Sequence, residues 1–221
     1  MYIRKTMTAK VVTIIKYADI LEARALMVAN RFRHLPVVDE NDTLAGIITD
    51  RDVRSALSLE RYNAPSEPDP DSGISGIVVA DVMTRDPVTI ALDSTIQDAL
   101  LLIRDHRVGA FPVVDETGKL RGILSDSDLL HAFINVLGIN EPGLLIGILV
   151  DEEMREMQKI VDALITEKVS FGSILVTRHW KEGKRAVFPY LLSQNIAALK
   201  KRLIRMGFSL LNPADWRFDD L

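Results

Sequence analysis

Cysteine is absent from all 221 residues, which removes disulfides, thiolate nucleophiles and cysteine-based zinc sites together. Long apolar runs are absent as well. The strongest, Leu144 to Val150, is far short of the ~20 residues that span a bilayer. The N-terminus, Met1-Tyr2-Ile3-Arg4-Lys5, is positively charged but has no apolar stretch behind it, so it does not read as a secretion signal. A cytoplasmic protein with no membrane partner is expected. The formal net charge is -4, so there is no broad positive field to draw in a nucleic acid. Catalytic signatures are missing too. The four histidines, His34, His106, His131 and His179, show no metal-binding i, i+4 pair. No phosphate-loop motif occurs, and no serine sits in a nucleophile elbow. A metal site and an enzyme are therefore not expected.

What is present suits packed domains. The chain is 48% hydrophobic and 26% charged, enough apolar surface to offset chain entropy in two or three compact units. A repeat dominates the first two thirds. Met7-Thr8-Ala9-Lys10-Val11-Val12-Thr13-Ile14 returns as Met83-Thr84-Arg85-Asp86-Pro87-Val88-Thr89-Ile90. Pro36-Val37-Val38-Asp39-Glu40 returns as Pro112-Val113-Val114-Asp115-Glu116. Gly46-Ile47-Ile48-Thr49-Asp50-Arg51-Asp52 returns as Gly122-Ile123-Leu124-Ser125-Asp126-Ser127-Asp128, and all three blocks share one offset of 76 residues. Three blocks in register mean a duplicated domain.

Periodicity supplies the elements of each copy. Val11 to Ile14 reads as a short strand. Ile20, Ala23 and Met27, and in the second copy Ile96, Ala99, Leu100 and Ile103, recur at helical spacing. Leu35 to Val38 and Leu44 to Thr49 read as a hairpin across the turn-prone Asp39-Glu40-Asn41-Asp42, and Thr49 and Asp52 open a final helix. Each copy is too small to hide both faces of its sheet, so the two should pack together. Residues 58–76, with Ser66-Glu67-Pro68-Asp69-Pro70-Asp71-Ser72-Gly73 at their centre, read as a linker.

Where Gly46-Ile47-Ile48-Thr49 gives way to Asp50-Arg51-Asp52, unpaired helix-start amides could seat a phosphate and the Thr49 hydroxyl could donate to it. An ionised Asp52 accepts only, which suits ribose hydroxyls. Ser125 and Asp128 repeat the arrangement. The same spacing is also that of a helix capping box, so a structural role stays open beside the functional one. The copies differ in charge. Arg33 and His34 stand where the second copy has Gly109 and Ala110, and Arg51 is matched by Ser127.

The blocks Val12-Thr13-Ile14, Leu35-Pro36-Val37-Val38-Asp39 and Gly46-Ile47-Ile48-Thr49-Asp50-Arg51-Asp52, each occurring twice, resemble the tandem CBS domain family. The resemblance covers about Met1 to Leu137 and implies CBS domain 1 over residues 1–57 and CBS domain 2 over 77–137, related by pseudo-twofold symmetry. It implies a regulatory module with no required cofactor that binds AMP, ADP, ATP or S-adenosylmethionine in clefts between the copies. It further implies phosphate and ribose contacts at Thr49, Asp52, Ser125 and Asp128, with Arg51 beside the first pair. The adenine would lie against the backbone of Val12-Thr13, Val88-Thr89, Leu35-Pro36 and Ala110-Phe111-Pro112. Basic residues at the positions of Arg33 and His34 face phosphates in related modules; a solvated helix end is the alternative reading.

From Gly143 the pattern changes. Leu144 to Val150 is a strand, Met157, Val161 and Leu164 a helix stripe, Ser173 to Thr177 and Arg185 to Leu192 strands, Ile196, Leu199, Leu203 and Met206 a second stripe, and Ser209 to Leu211 a last strand. This is the βαββαβ order of ferredoxin-like folds. Over residues 141–216 it resembles an ACT domain, and the whole resembles CBS-plus-ACT proteins of the acetoin-utilisation regulator type. The fold class is thus α/β (α+β). Amino-acid-binding ACT domains usually carry a glycine in the first loop, where this chain has Asp151-Glu152-Glu153-Met154, so dimerisation is expected there instead. Pro189 is awkward in a central strand and calls for a bulge. Lys200, Lys201, Arg202 and Arg205 read as a solvated face, and Trp180 and Trp216 as packing or interface residues. The expected partners are an adenosine-type small molecule, a second copy in a homodimer, and a separate target enzyme or transporter. The alternative is a scaffold with empty clefts.

Overall fold

The structure is a computed structural model and describes residues 1–63, 76–181 and 183–215. Most of the expected linker, including Ser66 to Gly73, and Trp216 lie outside the described residues. The chain divides into two compact units, Met1–Leu130 and His131–Leu221.

The first unit holds the first copy and the second as far as Leu130, within its last helix. In the first copy β1 (Ile14–Ile15), α1 (Ile20–Asn30), β2 (His34–Val38), β3 (Leu44–Thr49) and α2 (Asp50–Asn63) follow in the expected order. After α3 (Val79–Val82) and β4 (Thr84–Arg85), the second copy repeats it as β5 (Ile90–Ala91), α4 (Ile96–His106), β6 (Ala110–Val114), β7 (Leu120–Ser125) and α5 (Asp126–Leu137). Local chemistry explains these boundaries. The Asp19 carboxylate accepts from Leu21 N at 2.8 Å to start α1, and Arg31 ends it in the left-handed region at φ 57°. In the hairpin turn, Asp39 Oδ1 accepts from Asn41 N at 2.8 Å and from Thr43 N at 2.9 Å. Ile20, Ala23 and Met27 are all buried, as the helical spacing requires. Leu100, by contrast, is exposed, and only Ile96 and Ala99 of its stripe are fully buried. The first strand begins at Ile14 rather than Val11, because the pairing with β2 takes in only Ile14 and Ile15.

The copies are joined by a reciprocal exchange. In the first sheet, β1 pairs parallel with β2, β2 antiparallel with β3, and β3 antiparallel with β4, which comes from the approach to the second copy. Ile47 faces Thr84 in that pairing, and Ile123 faces Thr8 in the mirror arrangement. Both pairs obey the 76-residue offset. A second such pair of bridges joins Asp19 to Val78 and Thr95 to Tyr2. Each copy therefore completes its neighbour's sheet, satisfying edge groups that would otherwise be unpaired. Glycine is required where the exchanged segments cross. A Cβ on Gly46 would lie 2.7 Å from the Thr84 carbonyl oxygen, and one on Gly122 would lie 2.5 Å from Met7 Sδ.

The second unit consists of β8 (Leu144–Leu145), β9 (Gly147–Asp151), α6 (Met154–Thr166), β10 (Phe171–Lys181), β11 (Lys184–Leu191), α7 (Ala197–Arg205) and β12 (Ser209–Leu211). Its antiparallel sheet runs β10-β11-β9-β12, with β8 on β11. Ile148, Val150, Val187 and Leu191 pack with Ile160, Leu164, Leu199 and Leu203 from the helices to form its core. Three expectations need correction. The buried stripe of α6 runs through Ile160 and not Val161, and Met206 is exposed because α7 ends before it. The apolar run Leu144 to Val150 is two strands interrupted at Ile146, opposite Pro189, whose carbonyl accepts from Ile146 N at 3.3 Å. The register shift that accompanies Pro189 lies in β10, between Phe171 and Ser173, so the irregularity falls on the proline's neighbours while β11 runs through. Trp180 meets Phe188 edge to face, ring centroids 5.4 Å apart. Arg202 in the basic run is engaged by Glu167 at 2.5 Å.

Candidate functional site

Two clefts lie within the first unit, and each is built from both copies because of the strand exchange. The first has a volume of about 530 Å³; Ile47, Thr49 and Asp52 line it from one copy, and Thr84, Pro87 and Val88 from the other. The second has a volume of about 320 Å³; Ile123, Ser125 and Asp128 line it opposite Thr8, Val11 and Val12. Every one of these pairs again obeys the offset of 76. Volumes of this size suit small-molecule ligands.

At the head of α2, Asp52 Oδ2 accepts from Thr49 N at 2.9 Å and from Thr49 Oγ1 at 2.7 Å, while Asp52 N donates to Thr49 Oγ1 at 3.3 Å. At the head of α5, Asp128 Oδ2 accepts from Ser125 N at 2.8 Å and from Ser125 Oγ at 2.7 Å. These are reciprocal capping boxes, so the structural role left open by the sequence is real. A third box, Thr95 with Asp98 at the head of α4, has the same bonds at 2.7 and 2.8 Å but lines neither cleft. The box alone is therefore no mark of a site. What sets Asp52 and Asp128 apart is the cleft above them; in all three boxes the second carboxylate oxygen, Oδ1, has no partner among the described residues, but only at Asp52 and Asp128 does the residue line a cleft.

His34 is the shared wall. Its side chain and Ala110, its counterpart in the second copy, line both clefts. A Cβ on Gly109 would lie 3.4 Å from Cε1 and Nε2 of the His34 ring, so the second copy's glycine makes room for the imidazole. Burial lowers the His34 pKa below its ordinary value, Asp126 opposes that shift, Arg33 adds to it and Asp52 again opposes it. The sign of the pH effect follows. A histidine held below its ordinary value folds best neutral, so its contribution is complete above the unfolded value of ~6.5 and is lost as pH falls through the folded value. Urea denaturation at pH 7.0 and 5.5 should show the parent losing stability on acidification and His34→Ala losing less. Equal losses would remove His34 from that account.

Of the residues expected from sequence, Arg33, His34, Thr49, Arg51, Asp52, Val88 and Ala110 line the first cleft. Val12, His34, Ala110, Ser125 and Asp128 line the second. Thr13, Leu35, Pro36, Thr89, Phe111 and Pro112 line neither, and Leu35 and Phe111 are wholly buried in the core. A strand that borders a cleft turns alternate side chains away from it. Sequence reasoning missed Asp86, Arg107 and Val108 in the first cleft and Lys10, Asn30 and Phe32 in the second. Phe32 and Val108 share the repeat offset and precede the quoted hairpins, a signal that was open to use.

Residues 3–59 and 79–135, more than half of the chain, match the family model of the CBS domain. A CBS domain-containing protein of Dictyostelium discoideum is 40% identical over 109 residues, 49% of this chain and 74% of that protein. A homoserine O-acetyltransferase of Methanococcoides burtonii is 35% identical over 123 residues, which are 56% of this chain but only 22% of that enzyme. Among solved structures, a Vibrio cholerae protein proposed to act in acetoin utilization (AcuB) has a TM-score of 0.55 at 26% identity, covering 63% of this chain and 96% of that one. The CBS domain pair of protein MJ0100, solved with 5'-methylthioadenosine and S-adenosyl-L-methionine, has a TM-score of 0.51 at 23% identity, covering 60% of this chain and 99% of that one. That likeness is one of fold. With two family-model matches in the register of its internal repeat, this chain belongs to the CBS domain family.

Proposed function

We propose that this chain is a cytosolic regulatory protein whose CBS pair senses an adenosine-type ligand, drawn from AMP, ADP, ATP and S-adenosylmethionine, and relays occupancy through a homodimer to a separate target enzyme or transporter. The observation that carries the reading is the composition of each cleft. A hydroxyl and a carboxylate at a helix start, the latter with one unpartnered oxygen, face an apolar wall supplied by the other copy. A nucleoside needs both: acceptors for its ribose hydroxyls and a flat apolar surface for its base. The ligand class is the one found with the MJ0100 pair. Apolar side chains exposed on the helices, Leu101 at 49% and Leu130 at 60%, support the homodimer.

We read the C-terminal unit as ACT-like on its strand-helix-strand-strand-helix-strand order, and as an assembly element. Two of the three acids of its first loop pair with its own sheet, Asp151 with Lys184 and Glu152 with Arg185, which leaves those two poorly placed to receive an amino acid.

Thermal denaturation with each adenosine ligand tests the sensor reading. A ligand that binds only the folded state adds about 2.7 kcal/mol at 100 times its Kd, so the melting temperature should rise by several degrees. If none of the four shifts it at millimolar concentration, the reading fails.

A further inference from the structure

The two clefts are alike in backbone and unlike in the number of cationic side chains that line them. Arg33, Arg51, Arg54 and Arg107 all line the first, whereas Lys10 is the sole lysine or arginine among the described residues lining the second. Arg54 is held by Asp50 at 2.8 Å. The guanidiniums of Arg33, Arg51 and Arg107 have no ion pair or hydrogen bond among the described residues. The repeat makes the asymmetry specific, since the positions of Arg33, Arg51 and Arg54 are Gly109, Ser127 and Leu130 in the second copy.

The first cleft also contains carboxylates, and most have local duties. Asp50 holds Arg54, Asp52 caps α2, and Asp126 accepts from Ser127 N at 2.8 Å and faces His34. Asp86, in a left-handed turn at φ 49°, is the one whose carboxylate has no such engagement. Four arginines and four aspartates line this cleft, so its formal charge balances; what it offers an anion is three guanidiniums, Arg33, Arg51 and Arg107, whose donors are not taken up among the described residues. Planar forks of this kind take phosphate oxygens two at a time. In the second cleft, Val11, Val12, Phe32 and Ile123 provide an apolar lining with little to neutralise a phosphate, and burying an uncompensated charge there would be costly. The volumes agree: about 530 Å³ leaves room for a chain beyond the ribose, and about 320 Å³ is a tighter fit.

We infer that the two clefts take different ligands, the first an adenosine di- or triphosphate and the second an adenosine derivative without phosphates. The inference rests on the sensor reading above and divides its ligands between the sites. Calorimetric titration of the full chain with ATP and with 5'-methylthioadenosine tests it. Arg51→Ser, which installs the second copy's residue, should weaken ATP by about 10-fold, the loss of a charge-assisted bond, and leave 5'-methylthioadenosine within about twofold on the same scale. Asp128→Asn should weaken 5'-methylthioadenosine and spare ATP. If Arg51→Ser leaves ATP binding unchanged, or Asp52→Asn is the variant that weakens 5'-methylthioadenosine, the division falls while adenosine binding stands. If neither compound binds the parent, the sensor reading falls and takes this inference with it.

Discussion

Asp52→Asn and Asp128→Asn are each expected to weaken ligand binding in their own cleft by ~10-100 fold while leaving ligand-free stability within ~1 kcal/mol of the parent. Both halves follow from the division of labour within one carboxylate. In Asp52, Oδ2 is committed to Thr49 N and Oγ1, and in Asp128 to Ser125 N and Oγ. Asparagine keeps one oxygen for those bonds and so still caps. Its amide nitrogen then replaces the unpartnered oxygen, presenting a donor where a ribose hydroxyl needs an acceptor. A bond to a charged acceptor is worth about 1.5-3 kcal/mol, hence the expected range. Asp98→Asn is the internal control, because its box has the same bonds and lines neither cleft. Calorimetry for affinity and urea denaturation for stability separate the two outcomes. Variants that bind like the parent, or that lose stability at full affinity, would reduce Asp52 and Asp128 to the role of Asp98.

The strand exchange should be most sensitive at its two crossing glycines, and unequally so. Gly46→Ala places a methyl 2.7 Å from the Thr84 carbonyl oxygen, a backbone atom that cannot move without breaking the pairing of β3 with β4. Gly122→Ala meets first the Met7 thioether sulfur at 2.5 Å, the flexible part of a side chain, with the Thr8 carbonyl further off at 3.0 Å. Overpacking of this kind costs about 1-3 kcal/mol, and Gly46→Ala should fall at the upper end and Gly122→Ala at the lower. Combining Met7→Ala with Gly122→Ala should recover part of the loss; combining Met83→Ala with Gly46→Ala should recover less, since the carbonyl remains. Equal costs, or full rescue of Gly46→Ala by truncating Met83, would mean the crossing is looser than its geometry indicates. Because the exchanged segments also line the clefts, the more damaging variant should lose ligand response as well.

Several elements were legible because the forces that form them act within a few residues. The hairpin turn at Asp39 is closed by its own carboxylate two and four residues away, and the heads of α2, α4 and α5 are each capped across three residues. Helix stripes in the second unit were legible only to within a turn. Val161 and Met206 share the apolar character of Ile160 and Leu203, and only the facing sheet decides which of them is covered.

By itself, the sequence determined the duplication, the strand-helix-strand-strand-helix order within each copy, and the paired Thr49–Asp52 and Ser125–Asp128 junctions, all of which rest on period, capping and turn chemistry local to the chain; it did not show α3 and β4 between the copies or the break between β8 and β9. The tertiary structure decided what those parts do together. Only the pairing of Thr84 with Ile47 and of Thr8 with Ile123 brings Val88 over Asp52 and Val12 over Asp128, seats His34 between both clefts, and gathers Arg33, Arg51 and Arg107 around one of them. The physical reason is separation along the chain. A capping bond closes over three residues, whereas each cleft is closed by segments tens of residues apart that meet only once two half-sheets have exchanged edges and buried their shared core.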